Sequence, residues 1–430
     1  MSGSVDLDAV DLCDLSLFEQ GFPHDVFAAL RAERPVWFHP PTPNVPGGDG
    51  FWVLSRHSDV IAAATDGVTF SSRGGGGRDG GGTLIEDLPE GYTGVLLNMT
   101  DDPHHQRFRS LLTPALSPSA VRSLEEDLRR RSDAIVDAAI ERSAGDPDGV
   151  VDLLVHVAAE LPLQAAASLL GVPQSDRRML IEWADATLDH EDRDLGGTSE
   201  RAAAAAAARF AYGGELIELR RRDPGEDLLS LAVHGEIDDE AAPGGRRRLR
   251  DDELHLLFSL LVAAGTETTR NTIAVGVAAL AARPDDWWAV ERDRSLVPVA
   301  VEEMLRWASS TPYNRRTATR DVEVGGRRIR AGDRVTLWWA SANRDEREFA
   351  DPGRFDVRRS PNRHLAFGHG PHFCLGARLA RLEIAVIVGS LLGAVEPPEP
   401  AGPIEWTRSN KHTGVRHLPV RLRRNLNGGT

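Results

Sequence analysis

Over most of the chain, apolar residues return every three or four positions, the spacing that puts them on one face of a helix. The pattern predicts helices over Pro118–Ala144, Val150–Leu170, Ser175–His190, Thr198–Arg222, Asp251–Ala282, Val299–Trp307 and Ala377–Leu392. The second should stop at Gly171-Val172-Pro173, where glycine and proline break the period. Thr198–Arg222 carries seven consecutive alanines, Ala202–Ala208, and alanine is the best helix former. Asp251–Ala282 is charged in its first turn and mostly apolar afterwards, which predicts a centrally buried helix. Strand signals are fewer. Val36–Phe38 and Phe51–Leu54 can pair, Val322–Val324 and Arg328–Arg330 flank a Gly325-Gly326 turn, and Arg334–Ala340 adds a third strand. The expectation is a mainly α fold with a small β subdomain fed by both ends of the chain. It reads as one domain over residues 1–430, β-rich near 35–60, 316–340 and the C-terminal strands, and helical near 100–310 and 375–393. Arg73–Gly82, with seven glycines, and Glu240–Arg250 read as surface loops.

Composition narrows the chemistry. With 41% hydrophobic and 27% charged residues, the chain of 430 residues is neither disordered nor fibrous in composition. A net charge of −15 argues against nucleic-acid or membrane-surface partners. Residues Met1–Gln20 show no secretory signal. The longest apolar runs, around Leu256–Ala264 and Ile384–Val395, fall short of the roughly 20 residues a bilayer span needs. A soluble, cytoplasmic protein is expected. Only two cysteines occur, Cys13 and Cys374, so neither a disulfide framework nor a four-thiolate metal site is expected. Sulfur chemistry would rest on one thiolate at a time.

The most informative segment is Phe367-Gly368-His369-Gly370-Pro371-His372-Phe373-Cys374-Leu375-Gly376, just before the helix that begins at Ala377. Its glycines let backbone amides approach a sulfur, and a cysteine at a helix N-terminus has its thiolate stabilised by those amides and by the helix dipole. One thiolate alone suits a metal with a single axial sulfur ligand, haem iron above all. A buried structural cysteine on a glycine-rich turn is the plainer alternative. The segment resembles the haem-binding loop of the cytochrome P450 family, Phe-Gly-x-Gly-x-x-x-Cys-x-Gly, at every position. The continuation Ala377-Arg378-Leu379-Ala380-Arg381-Leu382-Glu383 is similar to soluble bacterial members of actinobacterial type.

Four further elements carry the same resemblance. Ala263-Ala264-Gly265-Thr266-Glu267-Thr268-Thr269 puts a glycine mid-helix, which costs about 1 kcal/mol relative to alanine and wants a reason. A ligand approaching closely is one; a packing glycine followed by a threonine that bonds back to a carbonyl is the other. The stretch is similar to the family's oxygen-activation element, with Glu267 and Thr268 on its acid–alcohol pair. Glu303-Met304-Leu305-Arg306 places opposite charges three apart, in itself a common surface pair, and matches the family's Glu-x-x-Arg element. Pro352-Gly353-Arg354-Phe355 resembles the segment that supplies a second arginine, implying a structural Glu303–Arg306–Arg354 network. Asp101-Asp102-Pro103-His104-His105-Gln106-Arg107-Phe108-Arg109 resembles Asp-Pro-Pro-x-His-x-x-x-Arg, with Asp102 in place of the first proline.

The resemblance implies a triangular helical prism around a buried haem b, with Cys374 as axial iron ligand and His105, Arg109, Arg316 and His372 on the haem propionates. Ala264, Gly265, Phe367 and Gly376 fall on other haem-contacting positions. It implies a monooxygenase in which Glu267 and Thr268 bring protons to bound O2, and one oxygen atom enters a medium-to-large hydrophobic molecule. Hydroxylation in natural-product biosynthesis or in sterol or terpenoid metabolism is the first reading. Oxidative coupling, epoxidation or demethylation on the same fold is the alternative, and a haem-based ligand binder without turnover is the second. The substrate pocket would draw on the stretches 84–98 and 175–205, and on Leu97, Asn98, Val262, Ala263, Tyr313, His412 and Thr413, with the loop at Gly74–Gly82 as a lid. The 56 residues after Cys374 are too few for a flavin reductase domain. NAD(P)H electrons would arrive through a ferredoxin and its ferredoxin reductase. Arg107, Arg129, Arg130, Arg131, Arg378 and Arg381 are candidates for the docking patch.

Overall fold

Among the helices of the computed structural model, which describes residues 5–78, 83–88, 91–180, 182–183, 186 and 200–426, eight are named here for their place around the site. They are α1 (His24–Glu33), α2 (His104–Leu112), α3 (Glu125–Gly145), α4 (Glu160–Leu169), α5 (Glu200–Arg222), α6 (Asp251–Ala281), α7 (Val297–Ala308) and α8 (Ala377–Ala394). The 31-residue α6 runs through the middle and packs against α4, α5, α7 and α8. Its central position follows from its apolar second half, where Ile273, Ala274, Val277 and Leu280 are buried. Gly265 has a packing reason. A Cβ there would come within 3.3 Å of the Ala166 Cβ, so the missing side chain lets α6 approach α4.

A five-stranded sheet lies beside the helices. Its strands are β1 (Val36–His39), β2 (Phe51–Leu54), β3 (Phe70–Ser71), β4 (Asn314–Ala318) and β5 (Arg334–Leu337), in the order β1-β2-β5-β4-β3. β5 runs parallel to β2, with Val335 opposite Trp52, and antiparallel to β4, with Val335 opposite Arg316. The sheet thus joins the N-terminal segment to the chain after α7. Three apolar clusters result: a large one among the helices, one from the N-terminal arm to Trp338, and one beneath the sheet. In the 322–329 hairpin, Gly325 and Gly326 have φ of 55° and 75°, the left-handed pair a two-residue turn needs.

Several predicted elements shift. Pro118–Ala144 breaks at Leu124 into a short helix, Pro118–Ser123, and α3. Val150–Leu170 is not one helix. Val150–Asp152 is a strand paired with Pro419–Arg421, and a π turn at Leu154–Ala158 precedes α4. A distant strand decides the fate of these β-branched residues. Arg334–Ala340 ends as a strand at Leu337, and a short helix, Trp339–Ala342, follows. The predictions over 181–199 and at the tip of the 74–82 loop lie largely outside the described residues.

Candidate active site

The loop before α8 is closed by its own backbone. Cys374 N donates to Phe367 O at 2.9 Å, and Phe373 N donates to Gly370 O at 3.0 Å. Gly370 has φ of 73°, and a Cβ on it would lie 2.5 Å from Ala64 O, so the position admits only glycine. Cys374 sits three residues before the start of α8, whose N-cap is Gly376. Burial pushes the Cys374 thiol above its ordinary value. Amide hydrogen bonds from Gly376 and Ala377 and the nearby guanidiniums of Arg109 and Arg381 act in the opposite sense.

Cys374 lines a cavity of about 340 Å³. His105 and Arg109 reach it from α2, Ala264, Gly265 and Thr268 from α6, Arg316 from β4, and Phe367, His372 and Gly376 from the loop. Strand alternation explains Arg316. Its neighbour Arg315 points the other way, to Asp87 and the carbonyls of Ile85 and Glu86. Arg316 is buried with no carboxylate within ion-pair distance among the described residues, and burial pulls its guanidinium down to about 10. Arg109 likewise has no ion pair among them. The His105 and His372 rings lie 4.0 Å apart, and Ser72 Oγ is 3.1 Å from His372 Nε2. Burial, with Arg316, His105 and Arg109 close by, pushes His372 down to about 2. His105 Nδ1 lies 3.2 Å from Asp102 Oδ1, but Arg109 and Arg316 meet no carboxylate among the described residues, so the site suits a flat group that brings two carboxylates and a thiolate-binding metal. Haem fits the residues present.

Helix geometry separates the acid–alcohol pair. The cavity face of α6 is the stripe Leu260, Leu261, Ala264, Gly265, Thr268, Thr269 and Thr272, at spacings of one, three and four. Thr268 is on it and donates to Ala264 O at 2.9 Å. Glu267 falls off it, with Oε1 3.8 Å from Arg270 Nη2 and Oε2 3.9 Å from His412 Nε2. The same rule removes Val262 and Ala263 from the wall. Leu97 and Asn98 line the cavity. Tyr313 does not; it is buried against Trp338, with ring centroids 4.7 Å apart. His412 and Thr413 also lie off this wall, and Thr413 borders a separate crevice with Trp307 and Trp406.

One structural prediction needs correction. Glu303 and Arg306 form a fully buried bidentate pair at 2.7 and 2.8 Å. The second guanidinium on Glu303 is that of Arg359, at 3.1 Å, not Arg354. Arg354 gives only its carbonyl, which accepts from Arg306 and Arg359. Its side chain is exposed because the turn at Asp351–Arg354 carries it outward. Asn362 and the Asp356 amide complete the shell around Glu303. The motif reading also missed Glu383, the seventh residue of α8, which is buried and lines the cavity. Burial holds its carboxyl well above the usual range, against a hydrogen bond with Thr269. Its signal was a lone acid in the apolar stripe Leu379–Ile387.

A fold of this topology with a single cavity-facing thiol at a helix start defines a haem-thiolate protein. Comparison with known proteins agrees. The family model described as Cytochrome P450 matches residues 288–400. A Mycobacterium tuberculosis protein named cytochrome P450 126 is 44% identical over 98% of this chain and 100% of its own length. Linalool 8-monooxygenase of Pseudomonas putida is 35% identical over 97% and 99%. A Mycobacterium marinum cytochrome P450 in complex with pseudoionone superposes with a TM-score of 0.84 at 33% identity, covering 98% and 99% of the two chains. The chain belongs to the cytochrome P450 family. It is a haem-thiolate monooxygenase that uses O2 and NAD(P)H-derived electrons on hydrophobic molecules. No helix among the described residues is long and apolar enough to cross a membrane.

Proposed function

We propose that Cys374 is the axial iron ligand, that His105, Arg109, Arg316 and His372 hold the two haem carboxylates, and that the enzyme hydroxylates a terpenoid-, sterol- or lipid-like natural product. The observation that carries this is the convergence of one thiol and two unpaired arginines on one apolar-walled cavity. Bound haem supplies activation of O2, with a thiolate ligand that favours O–O cleavage. The chain's own residues do the rest. The Gly376 and Ala377 amides favour the anionic form of the Cys374 sulfur, against the effect of burial. Leu116, Ala166, Leu169 and Leu261 exclude water and receive the substrate skeleton. Glu267, 17% exposed, takes protons from solvent, and water carries them to Thr268 Oγ1 at the cavity wall.

Electrons come from a ferredoxin and its reductase. Five of the six candidate docking arginines are already paired: Arg107 with Glu240, Arg129 with Glu125, Arg130 and Arg131 with Asp127, and Arg381 with Glu302. Arg378 and the exposed Phe373, both beside Cys374, support a small docking face there. A reduced thiol at Cys374 fits a cytoplasmic setting. The test is the spectrum of reduced, carbonyl-bound protein. A red-shifted thiolate-haem Soret band is expected in the wild type and its loss in Cys374→Ser. A wild type without that band would sink the assignment.

A further inference from the structure

Asn314 opens β4 two residues before Arg316, and side chains two apart on a strand point to the same face. Both line the cavity, whereas Arg315 between them turns to Asp87 and the carbonyls of Ile85 and Glu86. A second residue sets which way the Asn314 amide lies. Trp339 Nε1 donates to Asn314 Oδ1 at 3.0 Å. An indole nitrogen only donates, so the oxygen is the atom that faces it and Nδ2 lies at the other end. Nδ2 donates to no described residue, and it is not sealed from solvent as Asn98 Oδ1 and Glu383 Oε2 on the same wall are. Tyr313 and Arg315, on either side, are 2% and 0% exposed, so the open surface of Asn314 is the cavity side.

Other polar groups of this wall bond within the protein. Thr268 donates to Ala264 O, and Thr272 bonds Thr268 O and Ser310 Oγ. The two histidines assigned to the haem carboxylates are also partly engaged. His105 Nδ1 lies 3.2 Å from Asp102 Oδ1, and His372 Nε2 lies 3.1 Å from Ser72 Oγ. Two carboxylates bring four oxygens that accept several hydrogen bonds each, so acceptor capacity is left over beside Arg316. Residues two apart on a strand are separated by about 6.5–7 Å, a span that one carboxylate between the two side chains bridges.

We infer that Asn314 holds a haem carboxylate together with Arg316, its Nδ2 donating to the carboxylate oxygen. This rests on the haem site proposed above.

The test measures haem release from full-length, haem-loaded protein to an acceptor globin, together with the resonance Raman bending band of the haem propionates. Asn314→Asp keeps the shape of the amide and an oxygen for Trp339 but replaces the donor by a carboxylate. Asn314→Leu removes the donor without adding a charge that draws Arg316 away. Both variants are expected to release haem about ten-fold faster, the low end for a hydrogen bond to a charged group, and to shift the propionate band. Release at the wild-type rate in either variant would overturn the inference. Faster release with an unmoved band would overturn it too, by placing Asn314 in packing alone. The carbonyl-bound spectrum of the wild type separates this from the haem site itself. With the thiolate band present, either result removes the role of Asn314 alone, whereas a wild type without that band removes the site assignment.

Discussion

A guanidinium taken out of water without a counter-charge is costly, and Arg316 is in that position. Burial lowers its basicity, and the field of Asp101 offsets this only in part. The arrangement is unfavourable for the bare chain and favourable once two carboxylates arrive. Arg316→Met should therefore move two measurements in opposite directions. The haem-free protein is expected to gain about 1–3 kcal/mol in urea unfolding, as when buried charge is replaced by apolar volume. The haem-loaded protein is expected to release haem faster to an acceptor globin. A variant that loses stability in both forms would contradict the proposed role. Arg316 was readable from its place after α7, but its lack of a partner was not. That depends on which carboxylates the sheet and α2 bring near.

At the scale of elements, the Glu303 network shows how a motif is right in one half and misplaced in the other. Glu303 and Arg306 are three apart on one helix, so their pairing is local and periodicity reveals it. The second arginine comes from an irregular segment 56 positions on, where Arg354, Arg358 and Arg359 are all candidates by composition. Only the path of the turns after Pro352 points Arg359 inward and Arg354 outward. Arg359→Ala should cost about 2 kcal/mol, the value of losing hydrogen bonds to a buried charged group. Arg354→Ala should stay within about 0.5 kcal/mol. Chemical denaturation of the two variants decides between the arginines, and equal losses would argue against the assignment. Helix spacing likewise puts Glu267 off the stripe from Leu260 to Thr272 that faces the cavity. Tyr313, His412 and Thr413 have no such local signal, because long-range packing sets the faces they meet.

Across the whole molecule, separate segments are tied by buried charge. Glu253, in the first turn of α6, is fully buried. It accepts from Arg247 at 2.6 and 2.8 Å and from the Arg250 amide at 2.8 Å, and lies 3.6 Å from His104 of α2. Burial alone would raise its carboxyl, but His104, Arg247 and that amide outweigh burial and hold it at about 2, against an ordinary 4.5. A depressed carboxyl contributes stability in full above pH 4.5 and loses it as pH falls towards 2. At about 1.4 kcal/mol per unit the contribution is on the order of 3 kcal/mol. Glu253→Gln should therefore be less stable by about that amount at pH 7, and the gap should close by pH 2–3 in thermal unfolding. A gap independent of pH would place the effect in packing instead. By itself the sequence determined the helices with an apolar stripe, the glycine-framed Cys374 loop and hence the family and its cofactor. These rest on local spacing and on backbone freedom, which neighbouring residues dictate. The tertiary structure alone decided that Val150–Asp152 is a strand, that Arg359 serves Glu303, and that Tyr313 packs against Trp338 away from the cavity. Each depends on which distant groups share a buried volume, and burial is a property of the assembled chain.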